Sequence, residues 1–233
     1  MPLHIGIVAC SAEGAALCYR TICAEGPALM GAHRHPEVSM HTHSLGDYMD
    51  FIRRDDWSGV ARLMLSSAEK LKRVGADFLI CPDNTIHRSF PLVVERSPLP
   101  WLHIVEEVAA EARRRGFRRL AITGTTYTME GPIYPDVLTR NGIGFRIPST
   151  ADRRALNDII FDELVNGIFK PESVEVFRTV IGAMRAEGCD AVVLGCTEIP
   201  LLITPEDSPL PVLDSTRLLA RAALQRAIHR PPE

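Results

Sequence analysis

No stretch of this sequence approaches the roughly 18 consecutive apolar residues of a membrane-spanning helix, so no membrane span is expected. The charged start and apolar core of a signal peptide are missing too. The chain runs almost at once into a strand pattern, and the expected location is cytoplasmic. Basic charge is not in surplus. Lys and Arg number 26 against 29 Asp and Glu, a net charge of −3, which argues against a general nucleic-acid binder. The one basic run, Arg113 to Arg119, reads as a solvated helix C-terminus facing its own dipole. None of the six cysteines (Cys10, Cys18, Cys23, Cys81, Cys189, Cys196) forms a C-x-x-C pair, so a structural zinc site is not expected, and the thiols are expected to be reduced. Neither G-x-G-x-x-G nor G-x-x-x-x-G-K-[ST] occurs, which leaves nucleotide binding without a motif.

What the chain does contain is an echo. Gly75-Ala-Asp-Phe-Leu-Ile-Cys-Pro-Asp83-Asn84-Thr85 returns 113 residues later as Gly188-Cys-Asp-Ala-Val-Val-Leu-Gly-Cys196-Thr197-Glu198. In both, Gly closes a helical run and an apolar run of strand length leads to a polar tip. Asp83 and Cys196 occupy the same position. A second echo, His4 to Ser11 against Arg119 to Thr126, has an offset of 115. Together they suggest two α/β halves, although buried parallel strands resemble one another in any case. A length of 233 residues suits two units of about 100–120. With Ser97-Pro98-Leu99-Pro100 as linker, the expected division is 1–98 plus 209–233 and 99–208.

Along the chain, strands are expected near 3–10, 37–43, 77–82, from Trp101, 119–124, 143–147, 190–195 and 211–214. Helices are expected near 14–25, 55–74, 105–115, 131–140, 152–168, 172–187 and 215–229, with a polar loop at 124–128. Alternation of this kind implies parallel sheets. His33, His35, His41 and His43 form a cluster. His41 and His43 share one face of a strand, which suits either a metal or hydrogen-bonded surface imidazoles, and no carboxylate or thiol at ligand spacing completes a metal site.

Ligands of open α/β sheets bind outside the carboxyl ends of the strands, where Asp83 and Cys196 both fall. Alone, Cys196 reads equally as a buried structural thiol and Asp83 as a turn or cap residue. Placed symmetrically, they suit proton removal from one face of a carbon and delivery to the other. Ser11, Asn84, Thr85, Thr125, Thr126 and Thr197, with backbone N–H groups at helix starts, could hold a carboxylate and its enediolate. Glu198 could cap a helix or bind a substrate amine, and His87 could steady the Asn84-Thr85 turn.

These residues resemble the cofactor-independent aspartate/glutamate racemase family, within the Asp/Glu/hydantoin racemase superfamily. Leu194-Gly-Cys-Thr-Glu-Ile-Pro200 is similar to its Gly-Cys-Thr-Glu signature, Asn84-Thr85-Ile86-His87 to its Asn-Thr-x-His element, and Gly124 to Glu130 with Tyr134 to a segment of the broad-specificity bacterial amino-acid racemases. The resemblance implies two pseudo-symmetric Rossmann-like α/β halves with the active site between them, an isomerase that racemises amino acids without pyridoxal phosphate or any other cofactor, a small amino-acid or carboxylate substrate and a homodimer. It implies two bases, typically cysteines. Here the first is Asp83, a weaker base by reference pKa (about 3.9 against 8.5), and buried Cys81 lies two residues before it. Aspartate racemases of the family carry a lysine near the place of Asn166, so a dicarboxylic substrate is not implied. Members that keep only the second cysteine include arylmalonate-type decarboxylases, and these or a maleate-type isomerase using Cys196 form the alternative.

Overall fold

The computed structural model describes residues 2–229 of the 233, and contacts divide them after Ile104 and again after Ser215. The first unit comprises the residues up to Ile104 together with those from Thr216 onward. Strand β1 (Ile5–Ala9) is buried throughout. Helix α1 (Ala12–Met30) starts where the Ser11 hydroxyl accepts the Gly14 N–H. Strand β2 (Val38–Thr42) is a half-exposed edge. Helix α2 (Leu45–Ile52) has no counterpart in the sequence reading. Helix α3 (Trp57–Arg73) is capped by Asp56, whose Oδ1 accepts the Gly59 N–H at 2.8 Å. Strand β3 (Phe78–Ile80) is followed by a 3₁₀ turn (Thr85–Ser89) and helix α4 (Phe90–Val94). The sheet order is β2-β1-β3, all parallel.

The strand expected at Trp101 is only a bridge to Leu79, bounded by Leu79 N–H to Pro100 O (2.8 Å) and Leu102 N–H to Leu79 O (3.0 Å). Pro98 and Pro100 offer no N–H, and helix α5 (Ile104–Arg115) begins within three residues, so no ladder grows.

The second unit holds β4 (Arg119–Thr123), α6 (Thr126–Met129), α7 (Ile133–Arg140), β5 (Gly144–Arg146) and α8 (Thr150–Asp158). After α8 the helix widens into a π turn (Ile159–Glu163) and tightens to a 3₁₀ turn (Leu164–Asn166), which Gly167 ends in the left-handed region. Then come α9 (Pro171–Ala186), β6 (Ala191–Leu194), α10 (Ile199–Leu202) and β7 (Val212–Asp214). The order is β5-β4-β6-β7, again parallel. Because β7 pairs with β6, residues 209–215 belong by contact with the second unit, whereas the sequence division joined them to the first. That division also included residue 1 and residues 230–233, which lie outside the described residues. Helix α11 (Ser215–Ile228) returns the chain to the first unit, where the Leu3 N–H meets Ala227 O at 2.8 Å. The polar loop expected at 124–128 contains α6, which the Thr125 hydroxyl caps.

The echo in the sequence is a structural repeat. In the first sheet Ile5 lies opposite Phe78 and Ile7 opposite Ile80; in the second, Leu120 lies opposite Ala191 and Ile122 opposite Val193. Shifting the first pairs by the two sequence offsets yields the second. Gly75 (φ 91°) and Gly188 (φ 85°) end the preceding helices in the same left-handed turn, and Ala76 N–H to Leu71 O matches Cys189 N–H to Met184 O. Asp77 and Asp190 then repeat one clamp. Each N–H donates at 2.9 Å, to His4 O and Arg119 O respectively. The Asp77 carboxylate accepts the His4 N–H at 2.7 Å, and that of Asp190 accepts the N–H groups of Arg118 (2.7 Å) and Arg119 (3.1 Å). Unrelated buried strands share composition, but have no reason to share register, capping glycine and carboxylate clamp.

Candidate active site

The strand order puts a reversal between β1 and β3 in one sheet and between β4 and β6 in the other, and crevices at such points are where ligands of open sheets bind. In the first unit the β3 tip carries Cys81, Pro82 and Asp83. Cys81 is fully buried; burial and the Asp83 charge hold its thiol well above the usual range, so it stays protonated at neutral pH. Asp83 is half-buried, and its Oδ1 accepts the Ile86 N–H at 3.4 Å. Asn84 is buried at the cap position, and its side chain makes no capping bond. Thr85 opens the turn. At the β1 tip, Ser11 caps α1 through its hydroxyl, the acceptor of the Gly14 N–H at 3.3 Å.

His87 braces this tip. Its Nδ1 lies 2.7 Å from the Asp83 carbonyl and its Nε2 accepts the Ile104 N–H at 3.4 Å, which assigns a neutral ring with the proton on Nδ1. Burial, then the neighbouring His103, pushes its pKa well below the ordinary value. Phe90 stacks on the ring at 5.6 Å and His103 meets it edge-on at 4.7 Å.

In the second unit the β6 tip carries Gly195 and Cys196. Gly195 donates its N–H to Thr123 O at 2.8 Å, and a Cβ there would stand 2.7 Å from the same oxygen, so only glycine fits. The Cys196 thiol donates to Glu198 Oε2 at 2.9 Å, and the Thr197 hydroxyl donates to the same oxygen at 2.6 Å. Glu198 is only 3 % exposed. Of the roles expected for Glu198, capping is not the one seen: its carboxylate caps nothing in α10 and accepts from the thiol. The hydroxyl proton of Thr197, expected for substrate, is committed to Glu198. On the neighbouring tip, the Thr125 hydroxyl accepts the Thr128 N–H at 3.3 Å, and the Thr126 N–H donates to Asn157 Oδ1 at 3.0 Å.

Tyr134 is the residue of this region whose part only the tertiary structure reveals. Buried on α7, it hydrogen-bonds Ser215, whose hydroxyl donates to the Leu194 carbonyl at 2.9 Å, two residues before Cys196. Burial holds its phenol well above the usual range, so it remains a donor.

The other candidates lie elsewhere. His41 Nδ1 meets Ser67 Oγ at 3.0 Å while its Nε2 accepts from Lys70 Nζ at 2.9 Å, and His43 Nε2 meets Ser66 Oγ at 3.3 Å. Desolvation, then Lys70, lowers both pKa values. His35 Nδ1 bonds the Pro36 carbonyl. His33 has φ 63° in the turn before β2. Among the described residues no group of three or more His, Cys, Asp or Glu could hold a metal ion. The Asn166 amide donates to the carbonyls of Phe161 and Asp162 and so closes the π turn. The basic run separates into local bonds: Arg113 with Asn141, Arg114 with Glu111, and Arg115 with the Val212 carbonyl. Among the described residues no helix is long and apolar enough to cross a membrane.

Comparison with known proteins places these tips in context. The Asp/Glu/Hydantoin racemase family model matches residues 7–223. The broad specificity amino-acid racemase RacX of Bacillus subtilis is 25% identical over 193 residues, covering 82% of this chain and 81% of that one. Among solved structures, a Yersinia pestis protein assigned to the Asp/Glu racemases superposes with a TM-score of 0.90 at 31% identity, covering 97% of this chain and 100% of its own. An aspartate racemase homologue from Pyrococcus horikoshii superposes with a TM-score of 0.85 at 28% identity, covering 98% and 100%.

Proposed function

We propose, from the premise that this chain belongs to the Asp/Glu/hydantoin racemase family and is an isomerase, that it interconverts the enantiomers of an amino acid without a cofactor, with Asp83 and Cys196 as its two acid–base groups. The observation that carries this reading is the repeat: Asp83 and Cys196 end the same strand of the same hydrogen-bonded unit. A homodimer in the cytoplasm, acting on a small amino acid rather than on any partner macromolecule, completes the proposal.

Racemisation by two groups requires one ionised and one protonated at the start. The reference pKa values divide the roles, since at neutral pH a carboxyl is ionised and a thiol is not. The carboxylate of Glu198 reinforces this division: accepting from the Cys196 thiol at 2.9 Å, it keeps the proton on sulfur and repels a thiolate. In one direction, therefore, Asp83 removes the α-proton and the Cys196 thiol returns a proton to the opposite face; in the other, the Cys196 thiolate left by that turnover removes the proton and the protonated Asp83 carboxyl returns one. Backbone N–H groups at the starts of the Thr85 turn and of α10 suit the substrate carboxylate and the enediolate that forms from it. Tyr134 and Ser215 hold the strand end before Cys196 in place, and His87 holds the backbone of Asp83.

Proton NMR in D₂O of L- and D-amino acids tests this. Wild type should incorporate deuterium into the product enantiomer, and Asp83→Asn and Cys196→Ala should each lose inversion. Full activity in either variant refutes the assignment. The single cysteine of the pair favours one second reading, an arylmalonate-type decarboxylase using Cys196 alone, for which carbon dioxide release would be the signature.

A further inference from the structure

We infer that Thr128 is a positioning residue for Cys196: its methyl group wedges the tip of β6 against the tip of β4 and so fixes where the thiol stands. The inference rests on the reading of Cys196 as an acid–base group. The two tips meet backbone to backbone. Gly195 donates its N–H to Thr123 O at 2.8 Å, and an added Cβ on Gly195 would stand 2.7 Å from that oxygen. An added Cβ on Gly124 would stand 3.0 Å from Gly195 O. Both strands therefore lack a side chain where they run closest, and Thr128 of α6 fills the space. Its Cγ2 lies 3.1 Å from the Cβ position of Gly124 and 3.1 Å from that of Gly195, so one methyl group occupies the volume a side chain on either glycine would need. Packing this close passes a shift of one group on to the next.

The rest of the residue holds that methyl in place. Thr128 is 1 % exposed, and its N–H donates to the Thr125 carbonyl at 3.0 Å and to the Thr125 hydroxyl at 3.3 Å. Its own hydroxyl stands 3.4 Å from that of Thr125. A β-branched side chain is also stiff about its first torsion. A second group confines Gly195: the Tyr134 hydroxyl lies 3.6 Å from the same Cβ position. Cys196 follows Gly195 directly, so a movement of the Gly195 backbone carries the thiol out of its 2.9 Å contact with Glu198 Oε2. Glycine has the conformational freedom to make such a movement unless its surroundings prevent it. Thr128 has no titratable group and almost no exposed surface, so it acts on the reaction through Gly195 and not on the substrate.

Thr128→Ser removes only the methyl and Thr128→Val replaces only the hydroxyl, so the two variants separate packing from hydrogen bonding. Kinetics are followed by NMR in D₂O with the L- and D-amino acid that wild type exchanges fastest, and melting temperature is recorded. The pH of half-maximal alkylation of Cys196 by iodoacetamide is measured in a Cys23→Ser background. We expect Thr128→Ser to lose about tenfold in kcat, short of the roughly hundredfold that a full 1 Å misplacement can cost, with KM within about twofold of wild type. Its melting temperature should fall by only about 2–4 °C, as for one buried methyl group. Its alkylation midpoint should fall by about half a pH unit, because a displaced thiol feels less of the Glu198 charge. Thr128→Val should stay near wild type in kcat and in the midpoint. A Thr128→Ser enzyme with wild-type kcat and midpoint overturns the inference, whatever its melting temperature, and so does a Thr128→Val enzyme as slow as Thr128→Ser. If Cys196→Ala keeps full activity, the reading of Cys196 is what fails, and the alkylation midpoint in Thr128→Ser still decides whether Thr128 positions the thiol.

Discussion

Replacing Glu198 with Gln should make Cys196 ionise more readily. The wild-type thiol donates to a carboxylate oxygen 2.9 Å away, so forming a thiolate sets two negative charges side by side. At that distance a unit-charge pair is worth about 1.4 kcal/mol at the dielectric of water and about 3 kcal/mol at half of it. Glu198 is buried and Cys196 half-exposed, so solvent screening places the pair between these limits. Gln keeps the shape and one acceptor oxygen but removes the charge. The pH of half-maximal alkylation of Cys196 by iodoacetamide should then fall by about one to two units, at 1.36 kcal/mol per unit. Of the other five cysteines only Cys23 is partly exposed, so a Cys23→Ser background isolates the signal. The same substitution should slow racemisation at pH 8 and above, where Cys196 would lose the proton it has to deliver. An alkylation profile identical to wild type would refute the claim that Glu198 is an ionised acceptor for this thiol.

Three further outcomes are expected. Because the folded state holds His87 neutral, it binds fewer protons than the unfolded chain; stability should fall by about 1.4 kcal/mol per pH unit as pH drops below the unfolded value of about 6.5, with a smaller contribution of the same sign from the half-exposed His41 and His43. Urea midpoints at pH 7 and 5 would show it, and a smaller loss in His87→Gln would assign the share of that ring. Asp190→Asn should cost about 2 kcal/mol in urea unfolding and Asp77→Asn about 1, since the Asp190 carboxylate serves two N–H groups and an amide has one acceptor, whereas Asp77 serves a single N–H; equal losses would contradict the clamp geometry. Cys81→Ala should keep α-proton exchange within a few fold while losing about 1–2 kcal/mol of stability, because that thiol fills core space; loss of exchange would return Cys81 to the list of bases.

Much of this was open to a reading of residues alone. The strands around Ile7, Leu79, Ile122 and Val193 are largely apolar runs that end at a polar tip, the last two through Gly124 and Gly195, and that pattern survives any tertiary context that buries both faces. Helices α2 and α6 were missed for a local reason. Leu45–Ile52 and Thr126–Met129 span eight and four residues, too short for a helical period to stand out, and the Thr residues of α6 favour a strand or a cap. The strand expected at Trp101 had the right composition but lacked the donors and the length to form a ladder.

Composition and spacing by themselves determined the α/β class, the duplication and the equivalence of Asp83 and Cys196, because these depend on period and order along the chain. What each polar group does was decided only by folding. Glu198 stands two residues from Cys196 in any conformation, yet only the turn after β6 bends its carboxylate back onto the thiol. His87 bonds the Asp83 carbonyl within its own turn, but only the start of α5 gives its other nitrogen the Ile104 N–H and so sets the proton on Nδ1. Hydrogen bonds and desolvation act over a few ångströms between residues far apart in sequence, and such distances exist only once the chain has folded.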